Sequence, residues 1–210
     1  MGIRKLPENL INQIAAGEVI ERPSYVIKEL IENSIDANST EIEINLIDGG
    51  KSKIIISDNG EGIAKNELKK SIERHATSKL IDEDLFNLSF LGFRGEALPS
   101  IASVSELTIE SYKKSQKEGW GIKTFESDVK DFFPTSRNQG TKVQVESLFS
   151  SVPARLKFLK SNNGENSNSL QIIRKLSIIN FNIGFKVKID DREVLNLSKE
   201  RKNKEGLKNR

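Results

Sequence analysis

The chain contains no cysteine and a single histidine, His75. The first absence excludes disulfide frameworks, thiolate metal sites and cysteine nucleophiles. The second excludes multi-histidine zinc sites and argues against a serine–histidine triad. No apolar run approaches the roughly 20 residues that span a bilayer, and the opening MGIRKLPENL lacks the pattern of a signal peptide. A soluble intracellular protein, with no membrane partner, is the expectation.

What is present is ordinary for a globular chain: 210 residues, 36% hydrophobic and 30% charged, enough to bury a real core. The formal charge of +3 invites a nucleic-acid reading, but its location matters. Residues Ser198 to Arg210 carry six Lys/Arg against two Asp/Glu, a net of +4, which leaves the other 197 residues at −1. Basicity belongs to the tail, and a charged tail is more often a solvated end than a nucleic-acid arm.

Pro7 to Ala16 has the spacing of a short helix, with Pro7 suited to a first turn and Gly17 to a stop. Pro23 to Asp36 predicts a second, with Val26, Ile27, Leu30 and Ile31 on its apolar face. Glu41 to Leu46 alternates as a half-buried strand, Asp48-Gly49-Gly50 signals a turn, and Lys53 to Ser57 completes a hairpin. Helical spacing returns around Leu68 and Ile72 and after Gly95. Strands are expected at Leu107–Ser111, Gly121–Glu126 and Thr141–Glu146, and a helix over Pro153–Leu159. Asn162 to Ser169 (NNGENSNS) reads as a mobile polar loop. A helix near Leu170–Ile179 and strands at Phe185–Ile189 and Glu193–Leu197, turning at Asp190-Asp191, follow. No repeat or internal linker divides the chain. The expectation is one α+β domain over 1–197, a two-layer sandwich of helices on a mostly antiparallel mixed sheet, with 198–210 a charged tail expected to be disordered.

Four elements could carry chemistry. Glu29, Asn33 and Asp36 sit at i, i+4 and i+7, along one side of the second helix. They suit a solvated face; equally, a carboxamide oxygen suits Mg²⁺ and a carboxylate can orient an attacking water. Asp58-Asn59-Gly60-Glu61-Gly62 follows the Ile-rich strand. It is a good turn sequence, and its carboxylate could also accept from an exocyclic amine such as adenine's while the glycines let a flat base approach. Gly92-Phe93-Arg94-Gly95-Glu96-Ala97 precedes a helix, as a phosphate-cradling loop or a simple cap would. It is neither a Walker loop nor a dinucleotide fingerprint. Gly140-Thr141 opens a strand.

In this order the four pieces resemble the GHKL ATPase superfamily of type II topoisomerases, heat-shock chaperone ATPases, histidine kinases and MutL. The wording narrows the resemblance to the N-terminal ATPase domain of MutL-type DNA mismatch repair proteins. Asn12 to Val19 (NQIAAGEV) with Glu21-Arg22-Pro23 looks like the MutL opening, and Lys28-Glu29-Leu30 through Glu32-Asn33-Ser34 to Asp36-Ala37 its metal-site helix. Arg74 to Lys79 (RHATSK), Leu91 to Leu98 (LGFRGEAL), Pro153-Ala154-Arg155 and Lys157-Phe158-Leu159 are similar to its signatures. The likeness is dense over 6–105, looser to 159 and thin beyond.

The resemblance implies ATP and Mg²⁺ as cofactors and a role for each matched residue. Glu29 would be the general base and Asn33 the metal ligand, with Asp36 and Ala37 beside it in the nucleotide site. Asp58 would read the adenine amine with Gly62, Ile63 and Thr141. Thr77, Ser78 and Lys79 would line the nucleotide, and Gly92, Phe93, Arg94, Gly95, Glu96, Ala97 and Leu98 would close over the phosphates. Arg94 could instead brace that lid, and His75 reads as structural. In such relatives a second domain supplies a lysine to the γ-phosphate, and nothing in this sequence matches it, so slow hydrolysis is expected. The family further implies an ATP-dependent homodimer, a MutS-type mismatch recognition partner, DNA, and a bacterial cytoplasmic, nucleoid-associated setting. The apolar first helix (Leu6, Leu10, Ile11, Ile14) fits either crossing to a partner or packing on the core. The competing readings are a non-hydrolysing nucleotide-binding module and another GHKL ATPase such as a topoisomerase subunit.

Overall fold

The computed structural model describes residues 4–79, 91–92, 94–201 and 204–209. One eight-stranded sheet, in the order β5-β4-β3-β6-β2-β1-β7-β8, carries helices on one face. The strands are β1 (Glu41–Ile47), β2 (Lys53–Asp58), β3 (Glu106–Tyr112), β4 (Gly119–Phe125), β5 (Asp128–Thr135), β6 (Gly140–Glu146), β7 (Gly184–Ile189) and β8 (Arg192–Leu197). Every neighbouring pair is antiparallel except β1 with β7, which run parallel with Ile44 beside Val187. That arrangement is the expected α+β sandwich on a mostly antiparallel mixed sheet.

Alternation decides which face is covered. Ile42, Ile44 and Leu46 of β1, Ile54 and Ile56 of β2, and Val143 and Val145 of β6 are buried, while Glu43 and Gln144 between them are not. The helix α2 (Pro23–Asp36) lays Val26, Ile27, Leu30 and Ile31 onto that face. Pro23 stands at its first turn, where a missing N–H costs nothing, and its bounds coincide with the sequence expectation. The hairpin β1–β2 pairs Ile44 with Ile56. Asp190 and Asp191 both take positive φ, 47° and 63°, as a two-residue β7–β8 turn requires. Helix α4 (Ala97–Ser103) packs beside α1 (Glu8–Val19), and the helical turn α3 (Lys65–Leu68) lies against β4.

Three expectations need correcting. Helix α1 does not stop at Gly17 but continues to Val19. A Cβ at Gly17 would lie on the Arg155 guanidinium, so the glycine makes room for that side chain, whose Nη1 donates to Ile20 O at 2.6 Å. The short helix α5 covers Pro153–Leu156 only. The supposed polar loop Asn162–Ser169 is the start of α6 (Asn162–Ile179), the longest helix described. Ser161 caps it by accepting the Gly164 N–H, and Glu165 reaches back to the Lys160 N–H at 2.9 Å. The segment looks like a loop because its inward face is polar: Glu165, Asn166 and Ser169 are all buried. Strand β5 was not anticipated, since DVKDFFPT neither alternates nor excludes Pro134. It forms one edge of the sheet, where a proline is tolerated. A six-residue helix, α7 (Lys204–Asn209), lies within the basic C-terminal segment. Among the described residues no helix is long and apolar enough to cross a membrane.

Candidate active site

Strand β2 ends on Asp58, whose carboxylate is nearly buried and gathers three donors. Oδ2 accepts from the Ser34 hydroxyl at 2.9 Å, and Oδ1 from the Gly60 N–H at 2.9 Å and the Thr141 N–H at 3.1 Å. An ionised carboxylate offers about four acceptor positions. Three are used within the chain, so Asp58 has capacity for one further donor. Ser111 of β3 closes the same corner: it accepts from the Ile63 N–H at 2.8 Å, lies 2.8 Å from the Thr141 hydroxyl and donates to Gly140 O. Glu61 N–H donates to Ala37 O at 2.9 Å, tying the loop to the end of α2. The structure thus brings Ala37, Asp58, Gly62, Ile63 and Thr141 together.

The glycines here serve the packing of the chain itself. Gly62 has φ +77°, and a Cβ on it would stand 2.3 Å from Tyr112 O; Gly140 has φ +118°, and its Cβ would stand 2.0 Å from Asp58 O. Gly140→Ala is therefore expected to destabilise the fold by about 2–4 kcal/mol, combining strained backbone with a main-chain clash. Urea unfolding measures it, and a loss under about 0.5 kcal/mol would mean that the Asp58–Gly140 approach relaxes freely.

The polar edge of α2 forms a second cluster. Lys79 Nζ donates to Asn33 Oδ1 at 2.7 Å and to Asp36 Oδ2 at 2.6 Å. Asp36 also accepts the main-chain N–H groups of Leu91 and Gly92, both at 3.1 Å. A Cβ on Gly92 would come within 3.2 Å of Lys79 Nζ and 3.3 Å of Asn33 Oδ1, so only a residue lacking one lies this close without displacing them. The Thr77 hydroxyl accepts the Lys79 N–H, and Ser78 between them is exposed. Glu29, one turn before Asn33, has Oε1 3.2 Å from Lys28 Nζ, which also donates to Glu32 at 2.8 Å. Burial pulls the Lys28 pKa down, but the hydrogen bonds to Glu32 and Glu29 and their charges outweigh it and leave it above the usual lysine value.

The remaining glycine-segment residues lie against 74–76. Glu96 takes Arg74 Nη1 at 3.1 Å, and His75 Nδ1 lies 2.8 Å from its other oxygen. Gly95, at φ +63°, would put a Cβ 2.6 Å from Ala76 O. Arg94 is exposed, Ala97 opens α4, and Leu98 packs on the core. Phe93 lies outside the described residues. Sequence reasoning missed Ser111 and Arg137; each is a common residue in an unremarkable setting, and no local pattern marks either.

Residues 21–151, which contain every residue of both clusters, match the family model of histidine kinase-, DNA gyrase B- and HSP90-like ATPases. The chain belongs to this ATPase family. Within it the similarity is to MutL. The chain is 48% identical over 192 residues to the DNA mismatch repair protein MutL of Bradyrhizobium sp., covering 91% of this chain and 31% of that protein. It is 44% identical to the MutL of Rickettsia bellii, covering 98% of this chain and 34% of that one. The Aquifex aeolicus MutL ATPase domain, solved complexed with ADP, superposes with a TM-score of 0.74 at 32% identity, covering 87% of this chain and 65% of that one. The chain therefore spans about a third of the length of the curated relatives it matches. Both clusters fall on the elements by which this ATPase family was recognised in the sequence.

Proposed function

We propose that the chain is the ATP-binding module of a MutL-like mismatch repair protein, with Asp58 at the adenine and Asn33 at the Mg²⁺-bound phosphates. The observation that carries this reading is the Asp58 corner: a carboxylate held by three internal donors, with one acceptor position remaining, inside the segment that matches the ATPase family. Adenine's exocyclic amine supplies the missing donor. Residues 1–197 would form this module and 198–210 an appended basic tail.

The donor chemistry fits a divalent cation. Asn33 Oδ1 and the Asp36 carboxylate are hard oxygens already shared by one cationic group, the Lys79 ammonium. Mg²⁺ commonly takes one or two protein oxygens and completes its shell with phosphate oxygens and water, a demand these two side chains would meet. Mg²⁺ bound there would neutralise charge on the transferring phosphoryl group. Lys79, released from Asn33, would turn its charge to the phosphates; Thr77, Ser78 and Gly92 to Leu98 would enclose them; Glu29 would take the proton of the attacking water. Asn33→Ala should weaken the Mg²⁺-dependent part of nucleotide affinity by at least about 10-fold, as losing a metal partner does. Calorimetry with a non-hydrolysable ATP analogue, with and without Mg²⁺, reads this directly; an unchanged metal increment would sink the assignment.

In the family a second domain brings a lysine to the γ-phosphate, so turnover should be measured with such a domain supplied as well as on these 210 residues alone. Nucleotide binding would be read out as dimerisation through α1, whose Leu10, Ile11 and Ile14 are 37%, 45% and 53% exposed. Sedimentation with the same analogue tests that readout: a monomer at saturation refutes it. A MutS-type partner, DNA and a bacterial cytoplasmic setting follow from the family reading alone.

A further inference from the structure

Arg137 lies in the turn between β5 and β6, outside every motif that pointed to the nucleotide site. Its Nη2 lies within hydrogen-bonding distance of three oxygens and shares its two hydrogens among them: Ser57 Oγ at 2.8 Å, Asp58 O at 2.9 Å and Thr141 O at 3.0 Å. Two of these are the main-chain carbonyls of the residues whose side chain and N–H form the adenine corner. The β2–β6 ladder ends at Ser57 beside Lys142, so Asp58 and Thr141 stand just beyond its last pair. There the Thr141 N–H donates to the Asp58 side chain rather than to a β2 carbonyl. The guanidinium takes over where the ladder stops. Side chains alternate along β2, so Ser57 faces away from the Asp58 carboxylate, and Arg137 meets the corner from that opposite side. Burial lowers its pKa below the usual arginine value, and the charges of Asp58, Glu110 and Glu43 oppose that shift. Glu110 is itself fixed by Lys142 at 2.9 Å and by the Thr135 hydroxyl at 2.7 Å.

We propose that Arg137 is a positioning residue for adenine recognition, clamping the main chain of Asp58 and Thr141 from behind so that the Asp58 carboxylate keeps its aim at the purine amine. This rests on the reading of Asp58 given above. A methionine keeps the bulk and loses all three bonds; a lysine keeps the charge but carries its donors on a flexible stem rather than on a rigid guanidinium.

The test is calorimetric binding of ATP and of purine riboside triphosphate, which lacks the 6-amine, to wild type, Arg137→Met and Arg137→Lys, with melting temperatures beside them. Wild type should prefer ATP by about 10- to 100-fold, the worth of a hydrogen bond to a charged group. Arg137→Met should cut that preference by about 3- to 10-fold through weaker ATP binding, with affinity for the amine-free nucleotide unchanged; Arg137→Lys should fall between. A preserved preference in both variants, or equal losses for the two nucleotides, overturns the role of Arg137 while leaving Asp58 in place. Wild type showing no preference overturns the Asp58 reading itself. If Arg137→Met fails to fold, the lysine variant carries the same comparison.

Discussion

Glu29→Ala is expected to lower the rate of ATP hydrolysis by about 10²–10⁴ while leaving nucleotide affinity unchanged, the usual consequence of losing a general base. With Glu29 as the proposed base, three observations argue for a loss of rate without a loss of affinity. Glu29 and Asn33 are one turn apart on α2, so their side chains leave the helix on the same side. Asn33 belongs to the Lys79–Asp36–Gly92 cluster, whereas Glu29 touches none of its polar atoms and pairs only with Lys28 among the described residues. Removing Glu29 therefore disturbs neither the proposed metal ligand nor the adenine corner. It does release Lys28, but Glu32 still holds that ammonium at 2.8 Å. Phosphate release under single turnover, with the remaining two-thirds of a MutL relative supplied if the chain alone is too slow, measures the ratio. A variant that hydrolyses at the wild-type rate takes Glu29 out of the mechanism. One that loses affinity in proportion to rate makes it a binding residue instead.

The parts of the fold legible in the sequence are those where one local signal agrees with one buried face. Helix α2 is legible in the sequence because Pro23 marks its start and four apolar residues recur at helical spacing against the sheet. The β1–β2 hairpin was legible because its alternation survives folding unchanged, Ile44 facing Ile56. Where the covered face is polar, as in the first two turns of α6, composition misleads, and where a strand lies at the edge of the sheet, as β5 does, the pattern weakens. Gly17 shows a further limit: a glycine inside a helical run can mean a stop or a neighbour, and only Arg155, far along the chain, decides between them. The same distance hid two residues that brace the Asp58 corner. Asp58, Gly62 and Thr141 stand in recognisable strings, but Ser111 reaches Ile63 across 48 residues and Arg137 reaches Ser57 across 80. Such residues support the motif without belonging to it.

Asp58→Ala is the change with the widest expected consequences, because the carboxylate that holds the corner is also the proposed reader of the ligand. It leaves the N–H groups of Gly60 and Thr141 without their acceptor in a buried corner, at about 1–3 kcal/mol for each unpaired group, and removes the proposed partner of the adenine amine, so ATP binding should weaken by at least about 100-fold. A loss of both stability and affinity does not separate the two roles; Asp58→Asn does. With its amide oxygen at the Oδ1 position, asparagine still accepts from Gly60 and Thr141. Its NH₂ then faces Ser34, whose hydroxyl already lies 3.1 Å from Leu30 O and can donate there while accepting from the amide. The corner stays paired, and stability should fall by no more than about 1 kcal/mol. Toward the base, however, an acceptor has become a donor. ATP should lose affinity while inosine triphosphate, with an oxygen in place of the 6-amine, gains it, reversing the preference. If Asp58→Asn folds, binds ATP as wild type does and still disfavours the oxo purine, the carboxylate holds the corner together but does not read the nucleotide.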